Sequence, residues 1–171
     1  MTPLRPSDFP PPFSPGEFVA APGDPEIEVG VLIVGAGPAG LACAIRLGQL
    51  LEDAPELAER LGEVPVAVLD KGKQAGSHLL SGAVVNPRSL RALFRDRIAT
   101  HDMPFYGRVE HEAVYYLTSR RAMRIPAPPT MRNHGNYVAS LSQLGRWLAE
   151  KAEEGGAMIL PETAAEKLLV D

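Results

Sequence analysis

The stretch Val31-Leu-Ile-Val-Gly35-Ala-Gly37-Pro-Ala-Gly40-Leu41 decides how this chain is read. Its first four residues are aliphatic and mostly β-branched. A run that is apolar on both faces suits a strand buried in a parallel sheet. Gly-x-Gly-x-x-Gly follows, and a helix from Pro38 to Leu51 comes next, with proline in its first turn. A strand, a glycine turn and a helix in that order are the context that makes the motif a dinucleotide-binding fingerprint. Gly35 allows the tight turn, Gly37 leaves room for a pyrophosphate, and Gly40 lets helix and strand pack closely. Ala36, Pro38 and Ala39 complete the cradle, where phosphates would meet free N–H groups and the positive end of the helix.

Working outward, Val64–Leu69 reads as the next strand, and Asp70 closes it with Lys71 beside it. An acid at that strand end can accept hydrogen bonds from an adenosine ribose and repels a 2′-phosphate. Asp70 lies further from the motif than the usual ~20 residues. A helical insert at about 52–63 absorbs the excess, with a helix over Pro55–Leu61 and Asp53 as its expected N-cap. Cys43 is expected to be a small core residue facing the sheet. The fingerprint alone does not choose between FAD and NAD.

The remainder organises around this unit. Residues 1–28 form a Pro-rich extended arm, and residues 29–171 the folded part. Residues 71–86 read as a loop, Pro87–Arg97 as a short amphipathic helix entered through Asn86, and 126–136 as irregular. Ala113–Leu117 and Ala122–Ile125 form an expected hairpin. Ser140–Glu154 is a helix with capping-box spacing between Ser140 and Gln143, an apolar face of Leu141, Leu144, Leu148 and Ala152, and Gly155–Gly156 at its end. Met158–Leu160 and Lys167–Val170 read as strands. The sequence ends just after the last of these, which predicts an incomplete domain with an unpaired edge.

Composition narrows the chemistry. Apolar residues make up 45% of the 171 and charged residues 22%, enough for a core. The net charge of −4 gives no basic field for nucleic acid. A single cysteine excludes a thiolate-held cluster within this chain. No apolar run approaches the ~18 residues of a spanning helix. His78 and His134 have no third partner that would make a metal site, and Ser81 lacks a nucleophile-elbow sequence.

Three stretches together resemble the electron-transfer flavoprotein–ubiquinone oxidoreductase family. They are Gly35-Ala-Gly-Pro-Ala-Gly-Leu41, then Gly76-Ser-His-Leu-Leu-Ser-Gly-Ala83 with Asn86-Pro87, and Asn133-His-Gly-Asn-Tyr137 followed by the Leu141–Trp147 helix. Many flavoproteins share the first; the other two are more specific as a pair. The resemblance covers residues 29–171, the N-terminal part of such a protein. It extends to nitrogen-fixation-linked relatives and, more distantly, to geranylgeranyl reductases. Asp70 stands where such flavoproteins usually have Glu.

The resemblance implies a Rossmann-like α/β FAD-binding domain, a parallel sheet flanked by helices with a β-hairpin insertion. The implied FAD site takes in Gly35 to Gly40, Asp70 and Lys71, with His78, Ser81 and Gly82 returning towards pyrophosphate and flavin. Asn133 to Asn136 become a flavin-side or quinone-side wall, or else a turn that caps the Ser140 helix. The implied activity passes electrons from a reduced electron-transfer flavoprotein to ubiquinone or menaquinone, with no catalytic acid or base. A [4Fe-4S] cluster is implied only beyond residue 171. The implied location is cytoplasmic and peripheral on the inner face of the cell membrane. Leu79–Phe94, where apolar residues alternate with Arg88, Arg91 and Arg95, suits either an in-plane interfacial helix or an ordinary surface helix packing inward, and the resemblance points to the first as the contact with that membrane. Two other readings stay open: an FAD-dependent reductase or hydroxylase acting directly on an organic substrate such as a prenyl group, and a non-catalytic nucleotide-binding piece.

Overall fold

The computed structural model describes residues 19–20, 27–95 and 97–169. The elements run β1 (Val19–Ala20), β2 (Val31–Val34), α1 (Pro38–Glu52), α2 (Pro55–Arg60), β3 (Val66–Leu69), β4 (Ala83–Val85), α3 (Arg88–Leu93), β5 (Phe105–Arg108), β6 (Val114–Leu117), β7 (Ala122–Ile125), β8 (Tyr137–Ala139), α4 (Leu141–Glu154), β9 (Met158–Leu160) and β10 (Leu168–Leu169). The central sheet is parallel, in the order β2-β3-β9. Its register puts Val34 beside Leu69 and Leu69 beside Leu160, so all three strands end at one level.

Helices α1 and α4 pack against each other and against this sheet. The buried side of α1 is Leu41, Ala44, Ile45, Gly48 and Leu51, at helical spacing. Facing it are Leu144, Leu148, Ala149 and Ala152 of α4, with Val66 and Val68 of β3 beneath. The Ser140 hydroxyl accepts the Gln143 N–H at the start of α4, so the capping residue acts as its spacing predicts. No helix among the described residues is long and apolar enough to cross a membrane.

Several expectations are corrected. Burial on both faces is reached by β3, whereas β2 is an edge strand with Leu32 and Val34 exposed at 51% and 63%. Cys43 is exposed, because it falls off the α1 stripe that meets the sheet. Asp53 is the C-cap of α1, and Ala54 holds the N-cap position of α2 without a side-chain bond. The last strand is paired: Leu168 and Leu169 lie parallel to Val19 and Ala20. Beyond β1, Ile27 and Glu28, the expected extended arm lies outside the described residues.

The loop regions hold more structure than the sequence predicts. Strands β4, β8 and β5 form an antiparallel sheet. The hairpin β6–β7 forms as expected, with its tip at Thr118–Arg121. The supposed membrane segment turns its apolar side inward. Phe94 is buried and meets Trp147 edge-on at 5.2 Å, and Leu90 and Leu93 pack on the core. Leu80 and Val84 alone among its larger apolar residues stay exposed. Leu79–Phe94 therefore has no continuous apolar face to offer a membrane.

Candidate functional site

The turn after β2 is fastened to the neighbouring strand before anything binds there. The Gly35 N–H donates to the Leu69 carbonyl at 2.7 Å, and Gly35 sits at φ +103°, a conformation open to glycine. A Cβ on Gly40 would collide with the Gly35 carbonyl oxygen, so helix and turn approach each other only because that Cβ is missing. At Gly37 the ordinary φ of −81° would accept any residue, and a Cβ there would meet nothing within 4 Å. The space above Gly37 is thus open, while the space at Gly40 is filled by protein.

Gly37 is also the N-cap of α1, and no side chain caps this end. The first turn carries no acid, and Pro38 removes one of the N–H groups that would otherwise lack a partner. A fifteen-residue helix therefore presents uncapped N–H groups and the positive end of its dipole to the opening.

Asp70 bridges the two halves of the site. Its Oδ2 accepts the Ala36 N–H at 2.8 Å and its Oδ1 accepts the Gly72 N–H at 2.7 Å. Gly72 is buried, and a Cβ there would press on Asp70 Oδ1 at 2.9 Å and on the His78 ring at 3.2 Å. A pocket of about 380 Å³ opens here at the carboxyl ends of the strands. Gly35, Asp70, Lys71 and His78 line it together with Thr163, Ala164 and Ala165.

Those last three residues were missed by the sequence reading. They are held in place by backbone bonds: Glu162 N–H to the Gly72 carbonyl and Thr163 N–H to the Asp70 carbonyl, both 2.9 Å. Ligands of open α/β sheets sit beyond the carboxyl ends of the strands. The exit of β9 was therefore the place to look, once β9 was known to lie next to β3.

The remaining candidates lie apart from this lining. Ala39 is exposed on the first turn of α1, with Pro38 half-buried beside it. Ser81 and Gly82 are exposed just ahead of β4 and are absent from the pocket wall. Asn133 to Asn136 form a turn tied to the exit of β5. Asn133 N–H donates to Glu112 Oε2 at 2.6 Å, Val109 N–H to the Asn136 carbonyl at 2.8 Å, and the His134 ring lies 3.2 Å from the Glu110 carbonyl. Since Ser140 caps α4 itself, this turn does not serve as that cap.

With the geometry set out, similarity to known proteins can be weighed. No protein-family model matches the chain. Electron transfer flavoprotein-ubiquinone oxidoreductase of Oryza sativa subsp. japonica is 45% identical over 141 residues, 82% of this chain and 23% of that protein. The Dictyostelium discoideum and Pseudomonas aeruginosa enzymes of that name are each 43% identical, over 139 and 149 residues. The chain is a relative of the electron transfer flavoprotein-ubiquinone oxidoreductases. It spans 22% and 26% of the length of the Dictyostelium and Pseudomonas enzymes, against 81% and 85% of its own. The resemblance carried by the three motifs is therefore borne out.

Solved structures agree on the fold. CtdE in complex with FAD and a substrate matches with a TM-score of 0.52 at 17% identity, over 80% of this chain and 30% of that one. A variant of 2-methyl-3-hydroxypyridine-5-carboxylic acid oxygenase gives 0.50 at 17% identity, over 77% and 30%. The chain, like the corresponding part of these proteins, is an α/β unit built on a parallel sheet.

Proposed function

We propose that residues 29–171 supply the strand–turn–helix part of an FAD-binding domain in a membrane-peripheral electron-transfer oxidoreductase. The observation that carries this reading is the open, uncapped helix end at Gly37, next to a carboxylate already bonded to the glycine turn. The residues present fit the group. A pyrophosphate needs N–H donors and an approach free of side chains, which Gly35 to Gly40 supply. A ribose needs a fixed acceptor, and an ionised carboxylate has about four lone-pair positions, so Asp70 has acceptor capacity left over. Lys71, His78, Thr163, Ala164 and Ala165 would enclose the nucleotide, with Ser81 and Gly82 towards the flavin.

Bound FAD would supply electron transfer in one- or two-electron steps. The chain's own part is to bind, orient and exclude water, and no acid or base of this chain is required. In the whole enzyme the donor would be a reduced electron-transfer flavoprotein and the acceptor a quinone, as the names of the relatives suggest. A [4Fe-4S] cluster would belong to the rest of such an enzyme, because Cys43 is the single cysteine here. Peripheral attachment to the inner face of the membrane is part of the same reading.

Titration of the purified chain with FAD tests it, with NADP as comparator. Saturable binding of FAD, followed by flavin fluorescence, is expected. Asp70 should repel the 2′-phosphate of NADP. Equal binding of both nucleotides, or of neither, would overturn the assignment.

A further inference from the structure

The arginines of α3 and of the turn after it have no part in the nucleotide pocket. From Pro87 to His101 the sequence holds Arg88, Arg91, Arg95 and Arg97 against one acid, Asp96, in a protein whose net charge is −4. Arg95 lies 3.7 Å from Asp53. Arg91 has a different partner: its Nε donates to the Thr100 hydroxyl oxygen at 2.9 Å. A hydroxyl that accepts in this way keeps its own proton, so Thr100 has an O–H left to give.

Thr100 lies in a stretch that is fixed at its ends and open between them. Phe94 and Met103 are buried at the two ends, and Ile98 between them packs on the core. Arg95, Arg97, Ala99, His101 and Asp102 are exposed, and Thr100 is half-buried. Arg95 sits at φ +50°, a strained conformation for an L residue, so the turn leading into the stretch lowers the cost of opening it locally. The charges are placed to one side of the hydroxyl. Arginine stands five and three residues before Thr100, while Asp102, two residues after it, lies 3.5 Å from the His101 ring.

We infer that Thr100 is a phosphoacceptor for a basophilic serine/threonine kinase, with Arg91 placed to receive the phosphate. A substrate groove lined by carboxylates takes Arg95 and Arg97, and the charge pattern around the hydroxyl is what such a kinase reads. The Thr100 oxygen attacks the γ-phosphorus of ATP and forms the new O–P bond. The bond to the departing ADP breaks, and the hydroxyl proton passes to the catalytic aspartate of the kinase. The product carries about two negative charges. Arg91 is already seated on the oxygen that becomes the bridge, and its guanidinium has further N–H groups to give to the phosphate. The modification therefore clamps residues 97–102 to α3. It does so beside a pocket of about 360 Å³ that Phe94, Arg97 and Ile98 line with the ends of α1 and α4. The inference goes beyond the nucleotide site and does not depend on it.

The test is phosphorylation of the full, folded chain by ATP and the catalytic domain of protein kinase B, which selects arginine five and three residues before the acceptor. Tandem mass spectrometry should find one phosphate, on Thr100, and Thr100→Val should take none. Combined Arg95→Gln and Arg97→Gln should slow the reaction about tenfold, with circular dichroism unchanged. Arg97→Gln alone, which keeps the contact of Arg95 with Asp53, should slow it as well. Phosphorylation should raise the midpoint of thermal unfolding by about 2–4 °C. Arg91→Gln should cancel that rise while Thr100 is still phosphorylated. Phosphate on another residue, phosphorylation only after the chain is unfolded, or a rate indifferent to Arg95 and Arg97 would overturn the inference. So would a midpoint that stays or falls on phosphorylation, or one that rises equally in Arg91→Gln.

Discussion

The Asp70 carboxylate accepts the Ala36 N–H at 2.8 Å across thirty-four residues of chain. The acid that would meet a ribose is therefore already part of the turn that would meet the phosphates. Fold and binding are coupled at this residue, because the other oxygen of the same carboxylate secures Gly72. Replacement should show both effects. Asp70→Ala leaves two N–H groups without their acceptor, at about 1–3 kcal/mol for each that stays buried. Asp70→Asn keeps one acceptor oxygen and should cost about half as much. Urea unfolding measures these losses and FAD titration the affinity. An Asp70→Ala chain of unchanged stability would mean that water replaces the carboxylate.

The two glycines of the helix entry make a sharper contrast. A Cβ at Gly37 meets nothing, whereas one at Gly40 runs into the Gly35 carbonyl. Gly37→Val should keep the fold within about 1 kcal/mol and abolish FAD binding by filling the phosphate space. Gly40→Ala should destabilise the fold by about 1–3 kcal/mol through overpacking, whether or not nucleotide is present. Thermal unfolding beside flavin absorbance separates the two. A Gly37→Val chain that still binds FAD fully would remove the pyrophosphate from this turn.

Glu162 sits at φ +55° beside the pocket, where an L side chain is strained. Its N–H bond to Gly72 holds it there. Glu162→Gly should raise stability by about 0.5–1 kcal/mol, the relief of strain less the added freedom of the unfolded chain. A fall in stability would show that the Glu162 side chain holds a contact worth more than the strain.

Residues 31–41 were legible because their constraints are local: a glycine turn has one geometry, and Pro38 marks one helix start. Ser140 and Gln143 were legible for the same reason. The short strands Ala83–Val85, Phe105–Arg108 and Tyr137–Ala139 were not, since three or four residues carry too little periodicity and their pairing is set by distant chain. Thr163 to Ala165 escaped for a related reason. Their place at the site follows from β9 lying beside β3, and strand order cannot be read from a three-residue run. Cys43 was misplaced through phase, one residue off the stripe of Leu41, Ala44 and Ile45.

The Leu79–Phe94 segment was misread because alternation of apolar and basic residues looks the same for a lipid-facing helix and for a short core-facing one. Leu80 and Phe94 now separate those cases. Leu80 is 73% exposed and Phe94 7%. Leu80→Asp should change stability by no more than about 0.5 kcal/mol. Phe94→Ala should cost about 3–5 kcal/mol, since it empties a buried site and removes the edge-on contact with Trp147. Phe94→Asp should unfold the chain, because it buries a charge with no partner. Trp147 is the single tryptophan, so its emission reports both the local contact and the global transition. If Phe94→Asp stays folded with native tryptophan emission, the inward packing of α3 is wrong, and the segment returns as a surface for lipid.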